Sequence, residues 1–231
     1  MDFSTYKFRA SGVGNLMVEP RSKSESLSET TRTYLRDIYI KEVYGRSRDT
    51  SSKYTEKGLF VEEDSFNLMQ KHFGKLLIKN KTHFENEFVK GTPDIVMDNV
   101  KDAKSSWDMH TFFAADGTDK TYYWQLQTYM WLTDKDTADL CYCLNNSPEH
   151  LIVSEKNRRA WQKGLQDGTP EFEEMELDVE LNMKFDDIPA EKRIRIFSFD
   201  RDQEDIDRLI IKIEQAREYL NYMSFVDIAG E

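Results

Sequence analysis

What this chain lacks removes several functions at once. No apolar run approaches the ~18 residues of a membrane span, so no membrane partner is expected. The opening Met1-Asp2-Phe3-Ser4-Thr5-Tyr6-Lys7 has no apolar centre of the secretory kind, which points to the cytoplasm. Cysteine is confined to Cys141 and Cys143, alternating along an expected strand from Ala138 to Leu144. Two thiols cannot supply the four ligands of an iron–sulfur cluster, and they read as small strand residues in a reducing compartment. His72, His83, His110 and His150 show neither H-x3-H nor H-E-x2-H spacing, so zinc hydrolysis finds no support. There is no G-x4-G-K-[ST], and hence no sign of an ATP motor. Positive charge is in deficit, with 32 Lys and Arg against 43 Asp and Glu and a net charge of −11. A polyanion is repelled by such a chain unless basic charge is localised. Two runs localise it: Lys71, Lys75, Lys79 and Lys81, then Lys156, Arg158, Arg159 and Lys163. Acidic charge gathers in 171–180 and 200–207.

What is present suffices for a folded core. The 231 residues are 39% hydrophobic and 13% aromatic, enough for one domain spanning residues 1–231. Ser11 to Met17 reads as a short helix with Ser11 at its N-cap, and Ser26 or Ser28 starts a longer helix that ends near Gly45. After a polar loop, Lys57 to Met69 has helical apolar spacing, and Thr82 to Lys90 alternates as a strand. A loop near Asp116-Gly117 precedes an aromatic helix from Tyr122 to Leu132. Asn157 to Leu165 reads as helical, Gly168-Thr169-Pro170 as a break, and Glu171 to Val179 as acidic and irregular. Arg193 to Phe199 alternates as a late strand. Residues 202–223 then place Ile206, Leu209, Ile210, Ile213, Ala216 and Leu220 on one helical stripe. The fold class implied is α/β, a central mixed sheet flanked by helices.

The most informative stretch is Gly91-Thr92-Pro93-Asp94, followed by Asp102-Ala103-Lys104. Pro93 has no N–H and a fixed φ, so it ends what precedes it and Asp94 begins a new element. Ile95-Val96-Met97 forms one arm of a hairpin, Asp98-Asn99 its turn, and Val100 to Lys104 the other arm. With an odd loop, Met97 to Asn99, Asp94 falls opposite Asp102, and alternation puts Lys104 on the same face; an even loop would turn Asp94 away. Side chains at i and i+2 lie roughly 7 Å apart, a span that one hydrated Mg²⁺ bridges, with the amine just beyond. Phosphodiesters resist attack because their charge repels hydroxide. A cation held by carboxylates, with a lysine that orients the water, answers that difficulty.

Two more segments extend the pattern. Glu62 follows Gly58 by four residues, and Gln125 and Tyr129 share a helical face one turn apart. In order, G-x3-E, P-D, D-x-K and Q-x3-Y resemble the PD-(D/E)xK nuclease superfamily, in its RecB, YqaJ and lambda-exonuclease branch. The resemblance covers residues 58–129 and extends to Arg9-Ala10-Ser11-Gly12. It implies a restriction-endonuclease-like core, against which the strand and helix of 193–223 pack. It also implies Mg²⁺ or Mn²⁺ held by Glu62, Asp94, Asp102 and the backbone carbonyl of Ala103, with Lys104 acting on the water. Gln125 and Tyr129 would support the site and the DNA near it. Glu63 stands beside Glu62, and only the spacing from Gly58 selects between them. Arg9 and Ser11, near a helix start, could hold a 5′-phosphate.

The function expected from this resemblance is a metal-dependent exonuclease on linear DNA ends, in phage-type recombination or DNA processing. DNA is the expected partner, with a single-strand annealing or binding protein as an associate. Ring assembly, known in the lambda-exonuclease branch, is the oligomer the likeness would bring. A structure-specific or defensive endonuclease using the same site, and a catalytically silent DNA- or protein-binding relative, remain alternatives.

Overall fold

The computed structural model describes residues 1–22, 24–49 and 51–229. Strand β1 (Phe8–Arg9) runs into a 3₁₀ helix at Ala10–Asn15. Its cap position is held by Arg9, with no side-chain hydrogen bond, so Ser11 lies inside the turn rather than capping it. Helix α1 (Glu29–Tyr44) begins at Ser28, whose hydroxyl accepts the Thr31 N–H at 3.1 Å, and buries Leu35, Ile38 and Tyr39.

The segment expected as one helix over Lys57–Met69 is two. Helix α2 (Lys53–Phe60) and helix α3 (Glu62–Phe73) meet at Val61, whose backbone (φ −103°, ψ 17°) departs from the helix. The break sets Glu62 at the first position of α3. The strand expected over 82–90 is likewise interrupted, leaving β2 (Phe84–Glu85) and β3 (Val89–Gly91). Between them the Asn86 side chain accepts the N–H groups of Phe88 and Val89, both at 2.9 Å, and turns the chain.

Strands β4 (Ile95–Val96) and β5 (Val100–Ser105) form the hairpin, followed by α4 (Met109–Ala114), α5 (Lys120–Thr133) and β6 (Thr137–Cys143). Helix α6 (Glu149–Lys163) begins eight residues before the expected start. Helix α7 (Pro170–Met183) replaces the irregular acidic stretch. Thr169 caps it, Pro170 occupies its first turn, and Met175, Val179 and Met183 face inward while the acids face solvent. Strand β7 (Ile194–Asp200) and helix α8 (Gln203–Ala229) complete the described chain.

The sheet is divided. A three-stranded sheet has the order β1-β3-β2, and a four-stranded sheet the order β4-β5-β6-β7. Each is mixed: β1–β3 and β5–β6 are parallel, the other pairs antiparallel. The division falls between Gly91 and Ile95, where Pro93 has no N–H to continue a ladder.

Helix α5 joins the two sheets. Trp124 enters the core made with Leu35, Ile38, Leu209, Ile213 and Leu220, and Leu126, Tyr129 and Met130 pack with Val100, Ala138 and Leu140. Gln127 ties α5 to the last strand, donating to the Asp200 carbonyl at 2.8 Å and accepting the Asp202 N–H at 2.9 Å. The stripe expected on α8 is buried at Ile206, Leu209, Ile213, Ala216 and Leu220 and partly exposed at Ile210. No helix among the described residues is long and apolar enough to cross a membrane.

Candidate active site

The hairpin sets the site. Ile95 pairs with Lys101 and Val96 with Val100, so the loop is the odd one, Met97 to Asn99, and Asp94 stands opposite Asp102. Asp94 Oδ2 accepts the Ala103 N–H at 2.8 Å, which holds the carboxylate against β5. Burial, and then the neighbouring Asp102 charge, push the Asp94 carboxyl up to about 7.

Asp102 is 3% exposed. Its Oδ1 takes a long 3.5 Å hydrogen bond from Gln125 Nε2, and its Oδ2 lies 2.7 Å from Lys104 Nζ. That contact is a short ion pair, and Oδ2 has no further hydrogen-bond partner among the described residues. Burial alone would depress the Lys104 ammonium, but Asp102 and, less strongly, Tyr122 and Asp94 outweigh it and hold the lysine above its ordinary value. Lys104 therefore stays protonated. Its Nζ also donates to Gln125 Oε1 at 3.2 Å and sits 4.6 Å from the centre of the Tyr122 ring.

Helix α5 supplies the far wall. Gln125 and Tyr129 share a face, and Gln125 Nε2 donates to the Tyr129 hydroxyl at 3.0 Å. Burial, with the Asp102 charge, raises the Tyr129 phenol to about 12, so it remains neutral. Gly91 admits the Tyr129 ring, because a Cβ there would lie 2.7 Å from it.

Asp94, Ala103, Lys104, Ser105 and Tyr122 line one side of a cavity of about 480 Å³, closed on the other by Tyr54, Gly58, Leu59, Glu62 and Ser65. Glu62 lines it and Glu63 does not. The Glu62 carboxylate is drawn to Lys79 at 2.6 Å, so it stands at the rim, apart from the two aspartates. Among the described residues, no three His, Cys, Asp and Glu side chains gather closely enough to hold a metal ion. The oxygens present nonetheless suit a hard divalent cation. Burial and then the Asp102 charge raise the Asp94 carboxyl to about 7, so a cation there would relieve the strain on its charged form, and the Glu62 carboxylate lines the same cavity as Asp94.

Arg9 and Ser11 line an adjoining cavity of about 430 Å³ with His83, Lys90, Thr92 and Tyr129. The structure thus brings Asp94, Asp102, Lys104, Gln125 and Tyr129 together, with Glu62 at the edge and Arg9 and Ser11 next door.

Sequence reasoning missed Tyr122, although it precedes Gln125 by three residues and shares its helical face. It also missed the chain in which Asn145 Nδ2 donates to Ser65 Oγ at 2.7 Å and Ser65 Oγ meets Ser105 Oγ at 3.1 Å, fastening α3 to β5. No local pattern signals a contact spanning 80 residues. Three of the four cations in the α6 basic run are ion-paired: Lys156 with Glu176 and Glu180, and Arg158 and Arg159 with Glu155.

The sequence matches no family model and no curated protein. Among solved structures, the chain is similar to a phage-related exonuclease from Haemophilus somnus, with 28% identity over 95% of each chain and a TM-score of 0.77. Its structural neighbours are exonucleases. An alkaline exonuclease from Laribacter hongkongensis shares the fold at 12% identity and a TM-score of 0.64, over 99% of this chain and 96% of its own. The same enzyme in complex with dAMP aligns at 14% identity and a TM-score of 0.60, over 98% and 95%. The exonuclease fold of this chain is therefore the one expected from the P-D, D-x-K and Q-x3-Y motifs, and these neighbours support a nuclease.

Proposed function

We propose that this chain is a divalent-metal-dependent deoxyribonuclease of the PD-(D/E)xK type. On this reading it acts as a single domain that removes nucleotides from linear DNA ends in phage-type recombination, in the cytoplasm. The observation that carries it is the cross-strand placement of Asp94 against Asp102, with the Lys104 ammonium 2.7 Å from Asp102 and Gln125 bridging both to Tyr129.

Asp94, Asp102, Glu62 and the Ala103 carbonyl would hold Mg²⁺ or Mn²⁺, Glu62 leaving Lys79 to do so. When bound, the ion supplies neutralisation of the phosphate and an acidified water. Lys104, kept protonated by Asp102, donates to the attacking water or to a phosphate oxygen and so orients in-line attack; it does not remove the proton. Gln125 fixes the Lys104 ammonium from the other side, and Tyr122 covers it. The neighbouring cavity, with Arg9, Ser11, His83 and Lys90, suits a terminal 5′-phosphate, because it offers cations and hydroxyls at one place. Like subunits closing into a ring around DNA, and an annealing protein that takes over the exposed strand, complete the proposal.

The test is incubation of end-labelled linear DNA and closed circular DNA with Mg²⁺, using the native chain and Lys104→Ala. Lysine-dependent loss of linear DNA alone is expected. Cutting of circles would make it an endonuclease, and no lysine-dependent hydrolysis would leave a binding protein.

A further inference from the structure

A groove of about 390 Å³ adjoins the Arg9 cavity and shares Arg9 with it. Tyr6 and Tyr34 give it an aromatic floor, Ile38 adds apolar surface, and Lys41 and Arg46 reach it from the end of α1 and the loop beyond. Of the acids nearby, Asp37 is engaged by Arg48 at 3.2 Å, and Glu42 faces Tyr6. Arg9, Lys41 and Arg46 have no carboxylate partner among the described residues. Unpaired cations around two tyrosines form a surface suited to a flexible polyanion carrying flat bases. The mechanism above makes no use of Tyr6, Tyr34, Lys41 or Arg46.

We propose that this groove binds single-stranded DNA, namely the 3′ overhang of the uncut strand that digestion of its complement leaves behind. The proposal rests on the reading of the Arg9 cavity as the seat of the 5′-terminal phosphate. The cut strand ends at Arg9, so the strand that extends past it is the other one. Its bases pack against Tyr6 and Tyr34, and its phosphates meet Lys41 and Arg46. Arg9 then faces both strands, the end of one and the flank of the other. Holding the product strand beside the terminus keeps the enzyme on its substrate between successive cuts.

Fluorescence anisotropy in EDTA, where hydrolysis is suppressed, tests this with the full chain and the variant Lys41→Glu/Arg46→Glu, both positions being exposed. The probes are labelled duplexes: blunt with a 5′-phosphate, blunt with a 5′-hydroxyl, 5′-phosphorylated with a 3′ oligo-dT overhang, and with a 5′ oligo-dT flap. The native chain is expected to bind the 3′-overhang duplex about tenfold more tightly than the blunt one, the size of one stacked base with its phosphate contacts. The variant is expected to lose that advantage. Phosphate preference with no overhang advantage, or an advantage that survives in the variant, overturns the groove alone; an advantage confined to the 5′ flap overturns the choice of strand. Indifference to the 5′-phosphate overturns the reading of the Arg9 cavity on which the proposal stands. Photocrosslinking of a 5-iododeoxyuridine overhang to Tyr6 or Tyr34 would support the groove independently, and crosslinks found only elsewhere would contradict it.

Discussion

Asp94 Oδ2 accepts the main-chain N–H of Ala103 across the hairpin at 2.8 Å, so one carboxylate is oriented by the backbone of the strand that carries the other acid and the lysine. An amide oxygen can accept the same bond. Asp94→Asn is therefore expected to fold as the native chain does while losing its nuclease rate by about 10²–10³-fold. Release of nucleotides from end-labelled DNA, beside a thermal melt, checks both halves; near-native activity would remove Asp94 from the site.

Tyr122 lies over the Lys104 ammonium at 4.6 Å and is itself braced edge-on by Tyr142. The ring face, rather than the hydroxyl, is what touches the lysine. Tyr122→Phe is expected to retain activity, whereas Tyr122→Leu lowers kcat about tenfold with KM little changed. Equal losses in the two variants would assign the effect to the hydroxyl.

Lys57 is 1% exposed, donates to the Trp107 carbonyl at 2.8 Å, and has its ammonium pushed down to about 8 by burial, against the opposing pull of Asp108. The folded protein thus releases this proton near pH 8, while the unfolded chain keeps it to its ordinary value near 10.5. Between those values the unfolded state binds more protons, so stability from this group rises with pH. Urea unfolding should show a gain on the order of 2–3 kcal/mol across that window that disappears in Lys57→Met. A flat native profile would contradict the assignment.

Gly91 borders Tyr129 so closely that an added Cβ would stand 2.7 Å from its ring and 3.0 Å from the Ala10 Cβ. Gly91→Ala is expected to cost about 1–3 kcal/mol and, by shifting Tyr129, to loosen Gln125 and slow hydrolysis. Denaturant melts paired with nuclease rates decide it, and a variant as stable and active as native would show that the contact yields freely.

The hairpin was legible because its signals are local: Pro93 starts it, Asp98-Asn99 turns it, and loop parity alone decides the face of Asp94. Helix α5 and the buried stripe of α8 were legible from period. Helix α7 was not, since its acids dominate the composition and occupy solvent faces while only Met175, Val179 and Met183 mark the core. The break at Val61 was hidden because it is a backbone event in a sequence with unbroken helical spacing. The Glu62–Lys79 pair, the Tyr122–Lys104 contact and the Asn145–Ser65–Ser105 chain arise from tertiary packing. Even so, the two aspartates and Lys104 could be placed beforehand, because one hairpin carries all three.

On the proposed reading, Asp94, Asp102 and Glu62 hold a divalent ion beside Lys104. A crystal of the native chain soaked in Mn²⁺, measured for anomalous scattering, tests it most directly. The expected result is an ion bound between Asp94 and Asp102, with Glu62 swung from Lys79 to join them and Lys104 within reach of its water. Anomalous density elsewhere, or none in this cavity with Glu62 still on Lys79, would contradict it.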